Sequence, residues 1–277
     1  MKPIQFDYPG GHIDGLEWGE PGELTVIAVH GWLDNALSFA ALANQLPEIH
    51  LIALDLPGHG LSSWSPSGYP IWTPAEAILW VADQLPQSVH WLGHSMGAAA
   101  LTLAAGAFPE RFASIVLLDA IGPLVQSPDQ AVSTFRRYAS TSVRSLFSGY
   151  STPEQAIAAR LKATPAVTPT AIAPVILRNL EQRDQRWWWR TDPALRRPSA
   201  FRLTEPMVED FLRAMSVPAL AVRASNGMIP EAMFCARFEC LPMAERLDLD
   251  GHHHLHLESA GAVILARYLN AFWERTK

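Results

Sequence analysis

Short, continuous apolar runs recur along the chain at residues 24–29, 51–54, 89–92, 115–118 and 219–222, each rich in valine, isoleucine, leucine or alanine. Runs of this length bounded by turn-forming residues suit strands buried on both faces. Between them, residues 38–46, 75–85, 97–107 and, at the far end, 260–273 carry helical patterning. Such alternation predicts a mostly parallel, doubly wound sheet with helices on both faces. One region breaks the rhythm. Residues 122–203 hold no convincing strand but several helix-like pieces, among them 154–161 and 175–180, punctuated by prolines at 153, 165, 169, 174, 193 and 198. The expected organisation is a core of residues 1–121 and 204–277, interrupted by a helical cap, 122–203, that roofs the catalytic face of the sheet.

A chain of 277 residues is long enough for a substantial core. With 49% hydrophobic and 17% charged residues, its balance is that of a folded domain. The net charge of −6, without any basic block, argues against a nucleic-acid partner. The longest apolar run, 97–108, falls well short of the roughly 20 residues that a membrane span needs. The first residues lack the charged and apolar regions of a secretory signal. Cys235 and Cys240 lie in one expected helix at a spacing that does not bring them face to face, so both are read as free thiols. A cytoplasmic protein with no membrane span is expected.

Gly93-His94-Ser95-Met96-Gly97 fits G-x-S-x-G, with an expected strand leading in and an expected helix leading out. At so tight a turn the residues two before and two after the serine crowd together, so both must be small; both are glycine. The geometry lifts the Ser95 hydroxyl to the top of the sheet. It also aims the Met96 N–H, at the helix N-terminus, toward any oxyanion formed there. The pentapeptide alone often arises by chance; the flanking strand and helix give it weight.

His30-Gly31-Trp32-Leu33-Asp34-Asn35 follows the run at 24–29, and Asp55-Leu56-Pro57-Gly58-His59-Gly60-Leu61-Ser62 follows the run at 51–54. With these loops in place the sequence resembles the α/β-hydrolase superfamily, over the sheet-forming core and not over the cap. The resemblance implies the α/β-hydrolase fold: a mostly parallel, doubly wound sheet with a helical cap inserted between two strands. It implies that the Trp32 N–H joins that of Met96 in an oxyanion hole. The loop from Asp55 to Ser62 is assigned a structural role, with His59 a hydrogen-bonded loop residue and not a catalyst. Within the superfamily, His30 to Asn35, Gly93 to Gly97, Leu117-Leu118-Asp119 and Arg183-Asp184-Gln185-Arg186 are similar to the serine hydrolase-like group.

A serine hydroxyl needs a base to take its proton. Four of the ten histidines cluster in Gly251-His252-His253-His254-Leu255-His256, after the strand-like stretch 246–249. In the resembled fold the base sits in the loop after the last strand, in the chain order serine, acid, histidine. The G-x-H spacing of related hydrolases selects His253; His252 and His254 remain open. Clustered histidines also suit a metal. Adjacent histidines do not easily converge on one ion, however, and no cysteine or carboxylate motif accompanies these, so neither a metal nor another cofactor is expected.

The acid is less direct. The resembled pattern, G-x-x-D-x-x-x-P in the loop after the penultimate strand, places Asn226 where the aspartate would stand, counting back from Pro230. Asparagine carries no charge to stabilise an imidazolium. Asp119, at the end of the run 115–118, emerges at the same edge of the sheet, a position from which some relatives, certain haloalkane dehalogenases among them, supply their acid. The expected triad is Ser95, His253 and Asp119; the competing role for Asp119 is a cap at the entrance to residues 122–203.

Arg186-Trp187-Trp188-Trp189-Arg190 is the most unusual stretch. Three successive tryptophans cannot share one helical face, so some pack inside the cap and one is free for an apolar pocket wall, to which Trp64 and Trp72 could add. The expected activity is hydrolysis of a small or medium apolar carboxylic ester through an acyl-enzyme. Thioester, amide, lactone and C–C hydrolysis and acyl transfer use the same constellation and stay open, as does a ligand-binding homologue without catalysis.

Overall fold

Two strands that the apolar runs did not reveal open the chain. β1 (Lys2–Tyr8) and β2 (Gly11–Trp18) pair antiparallel through the turn at Pro9 and Gly10. In β1 the side chains alternate between partly buried and exposed, and in β2 buried Ile13 and Leu16 are separated by Asp14 and Gly15, so no continuous apolar run marks either strand. The structure, a computed structural model, describes residues 1–22, 24–86, 88–143 and 149–276.

The predicted strands follow as β3 (Thr25–Val29), β4 (His50–Leu54), β5 (Val89–His94) and β6 (Phe112–Leu118). Between β6 and the next strand of the same sheet come β7 (Leu180–Arg183) and β8 (Arg186–Trp189), which form a small sheet of their own. β9 (Ala219–Asn226) and β10 (Ala244–His252) complete the main sheet in the order β1-β2-β4-β3-β5-β6-β9-β10. From β4 to β10 every neighbouring pair is parallel. The helices are α1 (Ala40–Ala43), α2 (Trp72–Ala82), α3 (Met96–Ala107), α4 (Ala131–Ser140), α5 (Pro153–Ala163), α6 (Pro169–Arg178), α7 (Glu205–Ala214), α8 (Glu231–Phe238) and α9 (Ser259–Arg275). The helix expected over 38–46 shrinks to α1 and a preceding 3-10 turn. Cys235 lies in α8 and Cys240 beyond its end, both as free thiols.

Even the fully buried strands sort their side chains by twos. Ile27 and Val29 of β3 join a core with Ile78 of α2, Leu101 of α3, Leu212 of α7 and Phe234 of α8. Val26 and Ala28 face the other way, onto Phe39, Leu42 and the Leu265, Leu269 and Trp273 side of α9. The chain leaves β3 for β4 on one side and later places β5 on the other, so the sheet order reverses at β3. In sheets of this kind, ligands gather at the carboxyl ends of the strands beside such a reversal. The loop from His30 and the turn at Ser95 both start there.

The stretch 122–203 differs from its sequence reading in one respect. α5 and α6 stand where helices were expected, with Pro153 and Pro169 at their first turns. The three tryptophans, however, are in a strand and not a helix. Asp184 and Gln185, at φ 49° and 60°, make the left-handed two-residue turn that closes β7 onto β8. Period two then puts Trp187 and Trp189 against a small core with Ala156, Ile172, Val175 and Ile176, while Trp188 lies against Gly149 on the other face.

Candidate active site

Ser95 sits between β5 and α3 at φ 51° and ψ −116°, a backbone region that a non-glycine residue occupies only under strain. The sequence on either side permits the turn. A Cβ at residue 93 would lie 2.6 Å from the Ala98 backbone, and one at residue 97 would lie 2.2 Å from the Val29 carbonyl oxygen. The Ser95 side chain caps none of the N–H groups of the helix it opens, and it is only partly buried.

Its backbone fixes it to the neighbouring strand. His94 pairs with Leu118 in register, and the Ser95 N–H donates to the Leu118 carbonyl at 3.1 Å. The next residue, Asp119, has φ 48° and is 1% exposed. This left-handed turn carries the carboxylate off β6 and over the end of β9. There Oδ1 accepts the Ala224 N–H at 3.0 Å and Oδ2 accepts the Met228 N–H at 3.1 Å. Oδ2 also accepts from Nδ1 of His253 at 2.5 Å. Asp119 thus fills the place in the β9–α8 loop where the sequence offers Asn226, whose own side chain is exposed and donates to Ser225 Oγ. Gly227 makes room for it: a Cβ there would fall 2.2 Å from Asp119 Oδ1.

His253 follows β10 directly. Its carbonyl accepts from Nε2 of His94 at 2.9 Å, so backbone and ring are both held, one by the residue before Ser95 and the other by Asp119. With Nδ1 donating to the carboxylate, the lone pair of His253 is on Nε2. His252 instead turns back to accept the His254 N–H, and His254 points to Asp34, with 3.8 Å between Nε2 and Oδ2. Of the three histidines that the sequence left open, His253 is the one hydrogen-bonded to a buried carboxylate.

The loop from His30 carries the second N–H of interest. Asp34 N–H closes a turn on Gly31 O, leaving Trp32 at its tip and Leu33 at φ 63°. Two buried imidazoles hold this shape. His30 donates from Nδ1 to Gly31 O and accepts the Leu56 N–H; His59 donates to Pro57 O and accepts the Leu33 N–H. Burial lowers the pKa of His30 to about 4 and that of His59 to about 3, so both are neutral. His59 therefore has the loop role read from sequence. Among the described residues, neither the Trp32 nor the Met96 N–H donates to a backbone carbonyl. Ser95 Cβ would come within 3.2 Å of a Cβ on Gly31, so glycine keeps this loop close to the elbow.

Around the site lies a packed group of imidazoles. His94 is completely buried, with ring centroids of His253, His254 and His256 at 4.7, 5.3 and 4.2 Å. Burial, then the neighbouring histidines, hold His94 and His256 well below the ordinary histidine range; burial takes His254 to about 3. A nitrogen from each of His94, His253 and His254 lies within 4.8 Å of those of the other two. Adjacent His253 and His254 thus both stand against the ring of His94.

Residues 122–203 are tied to the loops of the site by contacts that sequence reasoning missed. Arg178 reaches buried Asp55 at 2.6 Å and Arg160 reaches buried Asp34 at 2.8 Å. Asn35 donates to Val175 O, Asn179 to Leu33 O and Trp32 Nε1 to Leu195 O. Acidic residues in the two loops and an arginine on each of two helices, α5 and α6, were the available signal. Trp64 and Trp72, expected near the pocket, instead line a cleft with Tyr8, Pro66 and Pro70 that includes neither Ser95, Trp32 nor His253. Among the described residues, no helix is long and apolar enough to cross a membrane.

Comparison with known proteins agrees with this fold. A family model described as "alpha/beta hydrolase fold" matches residues 25–163. The chain is 29% identical over 268 residues to a serine hydrolase-like protein of Dictyostelium discoideum, covering 88% of this chain and 74% of that protein. It is 34% identical over 124 residues to a probable serine hydrolase of Drosophila melanogaster, covering 43% of this chain and only 37% of that longer protein. Among solved structures, a hypothetical protein of Pseudomonas aeruginosa is 36% identical, superposes with a TM-score of 0.91, and is matched over 99% of this chain and 100% of that one.

Proposed function

The chain belongs to the α/β-hydrolase family and resembles its serine hydrolase-like group, and from that premise we propose that it is a serine hydrolase cleaving a carboxylic ester through an acyl-enzyme. The observation that carries this is the buried Asp119–His253 pair, 2.5 Å long, together with a strained serine whose backbone is bonded to the strand that bears Asp119. Ser95 is the nucleophile, His253 the general base and Asp119 the acid that orients it.

Nδ1 of His253 is engaged by Asp119, so Nε2 takes the proton from Ser95 as the hydroxyl attacks the substrate carbonyl. The imidazolium that results is stabilised by the buried carboxylate, which keeps its two backbone N–H bonds throughout. The N–H groups of Met96 and Trp32 receive the oxyanion; the first opens α3 and so has no acceptor within the helix, and the second sits at the tip of the His30–His59 braced loop. His253 then gives its proton to the leaving alcohol and draws one from the water that releases the acid. Residues 122–203 act as the cap, fastened by Arg160 and Arg178, and Trp32, 47% exposed, presents an apolar surface beside the nucleophile for the acyl or alcohol group.

Turnover of p-nitrophenyl esters of graded acyl length by the wild type and by Ser95→Ala tests the proposal. Hydrolysis by the wild type is expected to be lost in the variant by about 10⁴-fold or more. Equal rates would reject it. Ligand binding without catalysis draws its support from Asn226 in the usual acid position; that alternative holds only if wild type and variant are equally inert.

A further inference from the structure

Two buried polar atoms close to His253 have no hydrogen-bond partner among the described residues: Nδ1 of His94 and Oδ2 of Asp34. Neither is used by the proposed reaction. Both belong to side chains whose other polar atom is fixed, His94 Nε2 by the His253 carbonyl and Asp34 Oδ1 by Arg160. The remaining atoms are thereby oriented, His94 Nδ1 on a ring packed against those of His253 and His254 and Asp34 Oδ2 beside His254. The ligand nitrogens of His94, His253 and His254 stand within 4.8 Å of one another, and Asp34 Oδ2 stands 3.8 Å from Nε2 of His254.

We propose that His94, His253 and His254 form a binding site for a divalent transition ion of the zinc class, with the Asp34 carboxylate orienting His254, and that the bound ion silences the hydrolase by occupying the lone pair of His253. Three imidazoles suit such an ion, and water completes its shell. Nitrogens on one tetrahedral zinc, each about 2.0–2.1 Å from it, stand roughly 3.3 Å apart, so closing the cluster asks each ring to move by less than about 1 Å. The orienting bonds to His94 and Asp34 are the kind of outer support that metal-binding residues need. The charges nearby allow it: Asp119 and Asp34 are acidic, Arg160 answers one of them, and an excess negative charge is left to meet the cation. Ion capture stands on this geometry alone; its inhibitory consequence rests on the assignment of His253 as the base.

Cobalt(II), added to the chelator-treated protein, reports on the site through the intense visible bands of four-coordinate cobalt with imidazole ligands. One ion per chain is expected, with binding weakened about tenfold or more in His254→Gln and in the isosteric Asp34→Asn. Thermal unfolding of each variant without cobalt confirms that it is folded, and cobalt should raise the midpoint of the wild type more than that of either variant. Labelling of Ser95 by a fluorophosphonate should fall in step with cobalt occupancy and return on addition of a chelator. Absence of the bands, or bands undiminished in both folded variants, would overturn the site. Undiminished labelling at full occupancy would overturn inhibition. Labelling absent even without cobalt would strike the proposed hydrolase and leave the metal site standing on its bands.

Discussion

The carboxylate of Asp119 meets Nδ1 of His253 at 2.5 Å, although 134 residues separate them in the chain. The contact joins the end of β6 to the residue after β10 across the end of β9, whose loop supplies two N–H groups to the same carboxylate. A residue on one strand thus provides the charge that its neighbour's loop lacks. Asp119→Asn preserves shape but leaves Nδ1 without an anion and favours the wrong tautomer. It is expected to lower kcat/KM on a p-nitrophenyl ester by about 10⁴-fold. Asn226→Ala, at an exposed side chain, should leave the rate unchanged, and steady-state kinetics of the two variants distinguishes the positions.

Gly227 tests the same relationship without touching either partner. Its missing Cβ is what lets the Asp119 carboxylate lie in the β9–α8 loop, since the added atom would sit 2.2 Å from Oδ1. Gly227→Ala should displace the carboxylate and cost on the order of 10²-fold in kcat, the effect of a misplacement near 1 Å. A variant with wild-type kcat would mean that the carboxylate is not where the reaction needs it.

Much of this was visible in the sequence because the underlying physics is local. The buried strands announce themselves by continuous apolar runs, and the elbow by two glycines at fixed spacing around Ser95. Trp187, Trp188 and Trp189 misled because the turn residues before them, Asp184 and Gln185, are not a pair that by itself signals a left-handed hairpin. β1 escaped because its side chains alternate between partly buried and exposed, and β2 because polar residues and glycine interrupt its apolar positions. The site was legible residue by residue but not as a network: the room at Gly227, the carbonyl bond from His94 and the arginines reaching Asp34 and Asp55 all join segments far apart in the chain. Only the fold brings them together.

The buried histidines give the protein a marked acid sensitivity. His30, His59, His94, His254 and His256 all have pKa values depressed below the ordinary 6.5, with His30 at about 4 and His59 and His254 at about 3. Each is neutral when folded and takes up a proton only on unfolding. Stability is therefore full above pH 6.5 and falls as the pH drops toward 4, by up to about 1.4 kcal/mol per pH unit for each histidine. Urea midpoints at pH 7.5, 6 and 5 should fall steeply. His256→Phe, which removes a ring with two unpartnered nitrogens, should shallow the slope by up to about one proton. A flat profile would contradict the burial of the cluster.

Asp55 is fully buried and relies on Arg178, together with the N–H groups of Ala36 and Leu61. Arg178→Met would leave a buried charge without its partner and should destabilise the fold by about 3–5 kcal/mol. Arg183, well exposed beside Glu181, is the control: Arg183→Ala should change stability by no more than about 0.5 kcal/mol. Chemical denaturation of both variants at pH 7.5 gives the comparison.

The most direct measurement is the attachment of a fluorophosphonate to the intact protein, with the modified peptide located by mass spectrometry. A single adduct on Ser95 is expected, forming quickly in the wild type, slowly in His253→Ala and Asp119→Asn, and not at all in Ser95→Ala. An unmodified Ser95 after prolonged exposure, or labelling just as fast without the His253 imidazole, would contradict a serine activated by this histidine.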